Sequence, residues 1–288
     1  MPELPEVETV RRSLEDAVVG ATVTRVHVGR DRTVRRSSAA ALKAGLMNQT
    51  FTAARRRGKY LLFDLSSGNT MMVHLRMSGR LLLANPQETR EAHTHVVIGL
   101  HRAGASDVDL RFVDPRTFGE VVVYDPDDIN PATGEVFLVP EVGRLGLDPL
   151  VDEFTFEEFR RALTSKNRGL KATLLDQSVL AGIGNIYADE IMHRSRVRWN
   201  RRIATLSTKQ IQLLHESTVA ILAEAVAAGG STLSDTQYVD ALGREGIFQT
   251  EHRVYAREGE RCKTCNRGII RRVIGAGRST HFCPQCQR

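Results

Sequence analysis

CKTCNRGIIRRVIGAGRSTHFCPQC, from Cys262 to Cys286, is the stretch of this chain that says most about its architecture. Two CxxC pairs, Cys262 with Cys265 and Cys283 with Cys286, are separated by 17 residues. Each pair offers two thiolates from one tight turn, and the spacing is that of a tetrahedral zinc site. Four thiolates leave no open coordination position, so the single Zn²⁺ expected here is structural and not catalytic. It would pin the intervening hairpin, Arg278 included, in one geometry. These are all the cysteines of a 288-residue chain, too few for a disulfide-dense scaffold and consistent with an interior where thiols stay reduced.

Charge points to the same segment. The chain carries a formal +6 at pH 7, with 40 Lys and Arg against 34 Asp and Glu. Residues 253–288 hold nine basic and two acidic side chains, so the other 252 residues are nearly neutral. The excess positive charge sits on the cysteine hairpin, as suits contact with phosphates, although a merely solvated basic face has the same composition. No run of about 18 apolar residues exists to span a membrane, and MPELPEVETV lacks the apolar core of a secretory signal. The expectation is a cytoplasmic protein.

Upstream, short apolar or alternating runs predict strands over 21–28, 60–65, 70–77, 95–101 and 120–124, after a helix from about Glu6 to Val19 with Pro5 at its start. Four of the nine prolines fall between Asp125 and Leu150, which marks a connection. Helical periodicity follows over 156–163, 169–177, 185–195 and a long run closing at Gly229-Gly230. The fold expected is α+β and multidomain: an N-terminal β-sandwich or barrel with flanking helices (1–125), a linker (126–150), a helical domain ending in a polar loop (151–250) and a zinc ribbon (251–288).

Two further features carry chemistry. Removal of the initiator Met would leave Pro2 with a free secondary amine, and an α-amino group titrates near 8 against about 10.4 for Lys, so it is the better neutral nucleophile. Glu3 beside it suits general acid or base work. In LAGIGNIYADE, Leu180 to Glu190, Gly182 and Gly184 permit a tight turn and Asn185 can cap the following helix, where the backbone meets phosphate well. On the residues alone, each also reads as an ordinary chain start and an ordinary helix-helix turn.

PELPEVE, RRGKYLL (Arg56 to Leu62), HLRMSG (His74 to Gly79), DPRTFG (Asp114 to Gly119), LAGIGNIYADE and GRSTHFCPQCQ (Gly277 to Gln287) occur in order along the chain. Together they resemble the formamidopyrimidine-DNA glycosylase family, bacterial enzymes that remove oxidised purines from DNA. The resemblance implies a bifunctional glycosylase and AP lyase, monomeric, working on damaged double-stranded DNA in the bacterial cytoplasm at the nucleoid, with the N-terminal domain a β-sandwich and the LAGIGNIYADE turn in a helix-two-turns-helix motif of a DNA-binding helical domain. It implies Pro2 as nucleophile, Glu3 as proton donor, Lys59 as proton donor for β-elimination and Arg278 as the phosphate grip. Glu6 matches a second acidic residue of the opening motif. Asn185, Lys166 and Lys171 match phosphate-binding positions, and His74 and His93 match backbone contacts. Met77, Arg116 and Phe118 match a trio that fills the void left by the extruded base. Residues 231–248 match the loop that closes over that base.

The bland readings are a solvated Lys59, satisfied histidines, and Met77 and Phe118 as core. The sister endonuclease VIII, which favours oxidised pyrimidines, is disfavoured by PELPEVE and DPRTF. A non-catalytic zinc-dependent DNA-binding relative is disfavoured by Pro2, Glu3, Lys59 and Arg278, since a pure binder has no use for a free terminal proline.

Overall fold

The computed structural model describes residues 1–233 and 238–288; the expected base-covering loop therefore lies partly outside the described residues. The chain divides into two compact units, residues 1–143 with 229–246 and residues 144–228 with 247–288.

The first unit begins with α1 (Leu4–Val18), whose Val7, Val10, Leu14 and Val18 recur every three to four residues and are all buried. Next come β1 (Thr22–Val28), α2 (Ala39–Leu46), β2 (Phe51–Arg57), β3 (Tyr60–Leu65), β4 (Thr70–His74), β5 (Arg80–Ala84), β6 (Thr94–His101), β7 (Val108–Val113) and β8 (Glu120–Tyr124). They form two antiparallel four-stranded sheets, ordered β1-β6-β7-β5 and β2-β3-β4-β8. Val23, Ile98, Leu110 and Phe112 of one sheet share a single core with Phe63, Met71, Val73 and Val121 of the other and with α1 and α2. The sandwich expected from sequence is thus present.

Three strands of the two large sheets were not legible in the sequence. β2 reads FTAARRR, and its arginine run hides the alternation; Arg56 is nonetheless buried. β5 is no shorter than β4 or β8, and β7 carries the fully buried Arg111, whose guanidinium donates to the backbone oxygens of Asn85, Glu88 and Thr89. Conversely, the strand expected over 70–77 stops at His74, because Arg76 turns the chain with φ 53 and residues 75–79 cross to β5 in the other sheet. A small hairpin, β9 (Ile129–Asn130) with β10 (Glu135–Val136), and the one-turn α3 (Pro140–Gly143) end this part of the chain.

Residues 229–246 belong with this unit and not with the helical stretch they follow. Ser231 N–H donates to Glu6 Oε1 (2.7 Å), Tyr238 Oη donates to the Glu6 carbonyl (3.1 Å), and Ala241 N–H donates to Ser13 Oγ (3.1 Å). Gly230 allows this approach: its φ is +79, and a Cβ there would come within 2.7 Å of Glu6 Oε1.

The second unit holds α4 (Phe156–Thr164), α5 (Leu170–Leu174), α6 (Asn185–Arg194) and α7 (Thr208–Ala227). Its C-terminal hairpin pairs β11 (Arg271–Gly275) with β12 (Arg278–Phe282) through Ala276 and Gly277, both in the left-handed region. No helix of the described residues is long and apolar enough to cross a membrane.

Candidate functional site

In the first unit, Pro2 and Glu3 are buried at the start of α1. Glu3 is the N-cap residue and Pro5 stands in the first turn, where a missing N–H costs nothing. The Glu6 carboxylate accepts the Glu3 N–H (2.9 Å) on one oxygen and the Ser231 N–H on the other. Glu6 therefore fixes the chain terminus to the returning segment.

Lys59 is 6% exposed and occupies the two-residue β2–β3 turn after Gly58, whose φ is +56. That turn is braced from beneath. Arg56 Nη1 donates to the Gly58 carbonyl (2.9 Å), and its Nε donates to Glu8 Oε2 on α1 (3.2 Å). Burial would raise the Glu8 carboxyl, but hydrogen bonds from Arg11 and Arg12 and the charges of Arg11 and Arg56 hold it below its ordinary value. The Glu8–Arg56–Gly58 chain thus ties the lysine turn to the helix that begins at Pro2.

Met77 and Phe118 are 37% and 43% exposed, so neither is core. Met77 sits in the β4–β5 turn; Arg116 and Phe118 sit in the β7–β8 loop, with Arg116 Cζ 5.2 Å from the Phe118 ring centroid, a cation–π contact. His74, expected as a DNA contact, is instead buried beneath the Met77 turn. Its Nδ1 accepts the Arg76 N–H (2.9 Å) and its ring meets Tyr60 edge-on at 4.5 Å. Burial, then the positive charge of Arg76, pushes its pKa down to about 3, so the ring is neutral at physiological pH. His93 is exposed, at φ 66. Beside this turn Glu120 accepts from Arg36 and Arg76; burial opposes its ionisation, but these bonds and the nearby arginine charges hold it down near 2.

In the second unit, Arg278 opens β12 at the hairpin tip and is exposed. Asn185 is not the N-cap expected of it; Gly184 is, and Asn185 is the first helical residue. Its Nδ2 donates to the Ser279 carbonyl (3.0 Å), next to Arg278, while its Oδ1 is buried without a hydrogen-bond partner. Lys166 is exposed. Lys171, expected among the phosphate contacts, is 1% exposed and commits its ammonium to Asp189 Oδ1 (2.7 Å), the Ser279 carbonyl (2.8 Å) and Thr280 Oγ1 (2.9 Å). An ammonium has three N–H donors, so the geometry is that of a clamp on the hairpin, not of a hand held out to DNA. Asp189 completes the clamp by accepting the His281 N–H (2.8 Å). Glu190 beside it accepts three backbone N–H groups, of Arg253, Val254 and Tyr255 (2.8–3.0 Å), which fixes the chain entering the ribbon. Asp189 and Glu190 lie within LAGIGNIYADE, and neither has an expected role from sequence. The available signal was a pair of acids inside an apolar helical run.

The four cysteine Sγ atoms lie within 4.8 Å of one another, with Cys262–Cys286 and Cys265–Cys283 both at 3.8 Å. A zinc tetrahedron with bonds of about 2.3 Å has edges of about 3.8 Å, so the donor set fits the ion in both chemistry and spacing. Backbone N–H groups of Gly268 and Arg267 push the Cys265 thiol down to about 6, favouring the thiolate.

Two family models match: the formamidopyrimidine-DNA glycosylase N-terminal domain over residues 1–121 and the formamidopyrimidine-DNA glycosylase H2TH domain over residues 145–237. The chain belongs to the formamidopyrimidine-DNA glycosylase family. A formamidopyrimidine-DNA glycosylase of Heliobacterium modesticaldum is 41% identical over 292 residues, and that of Carboxydothermus hydrogenoformans is 40% identical over 288; each comparison covers 100% of both chains. The Lactococcus lactis Fpg, solved in complex with abasic-site DNA, is 34% identical with a TM-score of 0.86 over 99% of each chain. The chain is therefore a formamidopyrimidine-DNA glycosylase in fold: the N-terminal domain, the H2TH domain with α6 after its Gly-rich turn, and the cysteine cluster that fits a zinc ribbon.

Proposed function

We propose that the chain excises oxidised purines, 8-oxoguanine and formamidopyrimidines, from duplex DNA and then cleaves the strand. The observation that carries this is the buried start of α1, where Pro2 and Glu3 stand with Glu6 fixed between them and the returning segment. With Met1 removed, the neutral Pro2 amine attacks C1′ of the damaged nucleotide; the C–N bond to the base breaks and the base leaves with a proton. Glu3 supplies a proton to the sugar ring oxygen as the ring opens to the iminium. Loss of a C2′ proton expels the 3′ phosphate, for which Lys59 is the donor, and a second elimination expels the 5′ phosphate, assisted by Arg278. Cys262, Cys265, Cys283 and Cys286 would hold a Zn²⁺ that orders the ribbon and, with four thiolate ligands, would leave no open position for these steps.

Met77, Arg116 and Phe118 fill the space of the extruded base, and Arg116 can read the orphaned base by hydrogen bonds. Asn185, Lys166 and His93 are read as lying along the bound strand, with Lys171 and His74 holding their neighbours in place. The working unit is taken as a monomer on damaged duplex DNA in the cytoplasm. Mixing the protein with an 8-oxoguanine:cytosine duplex and adding borohydride tests the chemistry: a covalent adduct mapping to Pro2 is expected. If DNA binds but no adduct forms with any oxidised base or abasic site, the proposal is wrong.

A further inference from the structure

We propose that Asp114 is a positioning residue for duplex opening, locking the turn that carries Met77 and the loop that carries Arg116 and Phe118 into one wedge. This rests on reading those three side chains as fillers of the void. Residues 75–79 and 114–119 are the two spans that cross side by side between the sheets: His74 pairs with Glu120 where they meet one sheet, and Arg80 pairs with Val113 where they meet the other. Strand pairing fixes their ends and leaves their middles to be held by something else.

Asp114 holds them. It is 0% exposed and stands where β7 ends. Its Oδ1 accepts from Ser78 Oγ (2.5 Å), in the Met77 turn, and from the Arg116 N–H (3.2 Å), while Oδ2 accepts the Gly119 N–H (2.7 Å). Its own N–H donates to the His93 carbonyl (3.0 Å), and its carbonyl pairs with His95 Nε2 (2.8 Å). One buried carboxylate thus bonds both spans on either side of the exposed side chains.

Three observations show that the shape is imposed. Each span contains a non-glycine residue in the left-handed region, Arg76 at φ 53 and Thr117 at φ 55, and a β-branched residue adopts that conformation only where its surroundings compel it. Each span closes on a glycine without room for a side chain: a Cβ would lie 2.5 Å from the Leu75 carbonyl oxygen at Gly79 and 2.5 Å from Phe112 Cζ at Gly119. From outside, Arg32 Nε donates to the Thr117 carbonyl (3.2 Å), and Arg35 donates to those of Phe118 (3.3 Å) and Gly119 (3.1 Å).

A wedge must offset the cost of unstacking a base, and any freedom it loses on insertion is subtracted from that work. Asp114 removes the freedom beforehand. The consequence is selective: steps that need an opened duplex depend on Asp114, and chemistry on a strand with nothing to open does not.

The test compares excision from an 8-oxoguanine:cytosine duplex with cleavage of a preformed abasic site in single-stranded DNA. Asp114→Asn is expected to lower kcat/KM on the duplex about tenfold or more and Ser78→Ala about threefold, the losses expected when buried hydrogen bonds to a charged group are weakened. Both should leave single-strand cleavage within about twofold, since that substrate needs no wedge. A 2-aminopurine opposite a tetrahydrofuran site should show a weaker fluorescence change on binding to either variant. Equal losses on both substrates, or an unchanged duplex rate in both variants, would overturn the proposal. Met77→Ala separates it from the reading beneath it. If that variant excises normally, the wedge reading falls; if it is impaired while Asp114→Asn and Ser78→Ala are not, only the role of Asp114 falls.

Discussion

Replacing Lys171 with Met decides whether this lysine is a clamp or a phosphate contact. The Lys171–Asp189 pair is 2.7 Å long with both side chains essentially inaccessible. Met preserves most of the stem and removes the charge, leaving Asp189 with the His281 N–H (2.8 Å) and the more distant His281 Nδ1 (3.4 Å). Removing one partner of a buried, hydrogen-bonded ion pair costs about 3–5 kcal/mol, a large fraction of the roughly 5–15 kcal/mol that holds a domain folded. The assay is built into the chain. Trp199 is its single tryptophan, and its ring lies so close to Gly275 of the hairpin that a Cβ there would come within 2.7 Å of Cζ3.

Urea unfolding of the zinc-loaded protein followed by Trp199 fluorescence should show that loss in Lys171→Met. Adding Asp189→Asn should recover at least about 1 kcal/mol, because the stranded charge is gone. The exposed Lys166 is the contrast. Lys166→Ala should leave stability within about 0.5 kcal/mol and lower the slope of log K against log salt for duplex binding by about 0.9, as expected for one lost phosphate contact. If Lys171→Met keeps full stability and shows that same drop in slope, the clamp is refuted and Lys171 touches DNA.

Cys262→Ser should release zinc, measured by a chromogenic chelator, and abolish duplex binding; a zinc-free variant that binds normally would refute the role of the ribbon. Gly230→Ala should cost about 1–3 kcal/mol in urea unfolding, from left-handed strain plus the collision with Glu6, and should slow borohydride trapping at Pro2. Unchanged stability would mean that the Glu6–Ser231 contact yields freely. For His74, a folded pKa near 3 against an ordinary 6.5 means the unfolded chain binds the proton more readily, so its contribution to stability is full above pH 6.5 and is lost progressively as pH falls toward 3. His74→Gln should flatten the decline in melting temperature between pH 6.5 and 4; an unaltered decline would place that titration elsewhere.

The spacing of Cys262, Cys265, Cys283 and Cys286 was enough to foresee four thiols gathered at one hairpin, because CxxC pairs are local and two of them leave few alternatives. Periodicity located α1, α6 and α7 for the same reason: a helix repeats within a few residues, and its buried face is written in one window. The ordered motifs identified the family, and matching them is what proposes Pro2, Glu3, Lys59 and Arg278 for the chemistry. What periodicity could not supply was whether a charged or apolar side chain ends inside or outside, since that depends on partners far away in sequence. Met77 and Phe118, whose apolar side chains taken alone suit a core as well as a void-filling wedge, are exposed; Lys171 and His74, matched to DNA contacts, are buried. Arg56, Glu8, Asp114 and Asp189 have roles only because folding brings residues as distant as Ser78 and Asp114, or Lys171 and Thr280, within hydrogen-bond reach. Burying a charge is costly unless its partners converge on it, and only the tertiary structure shows that they do.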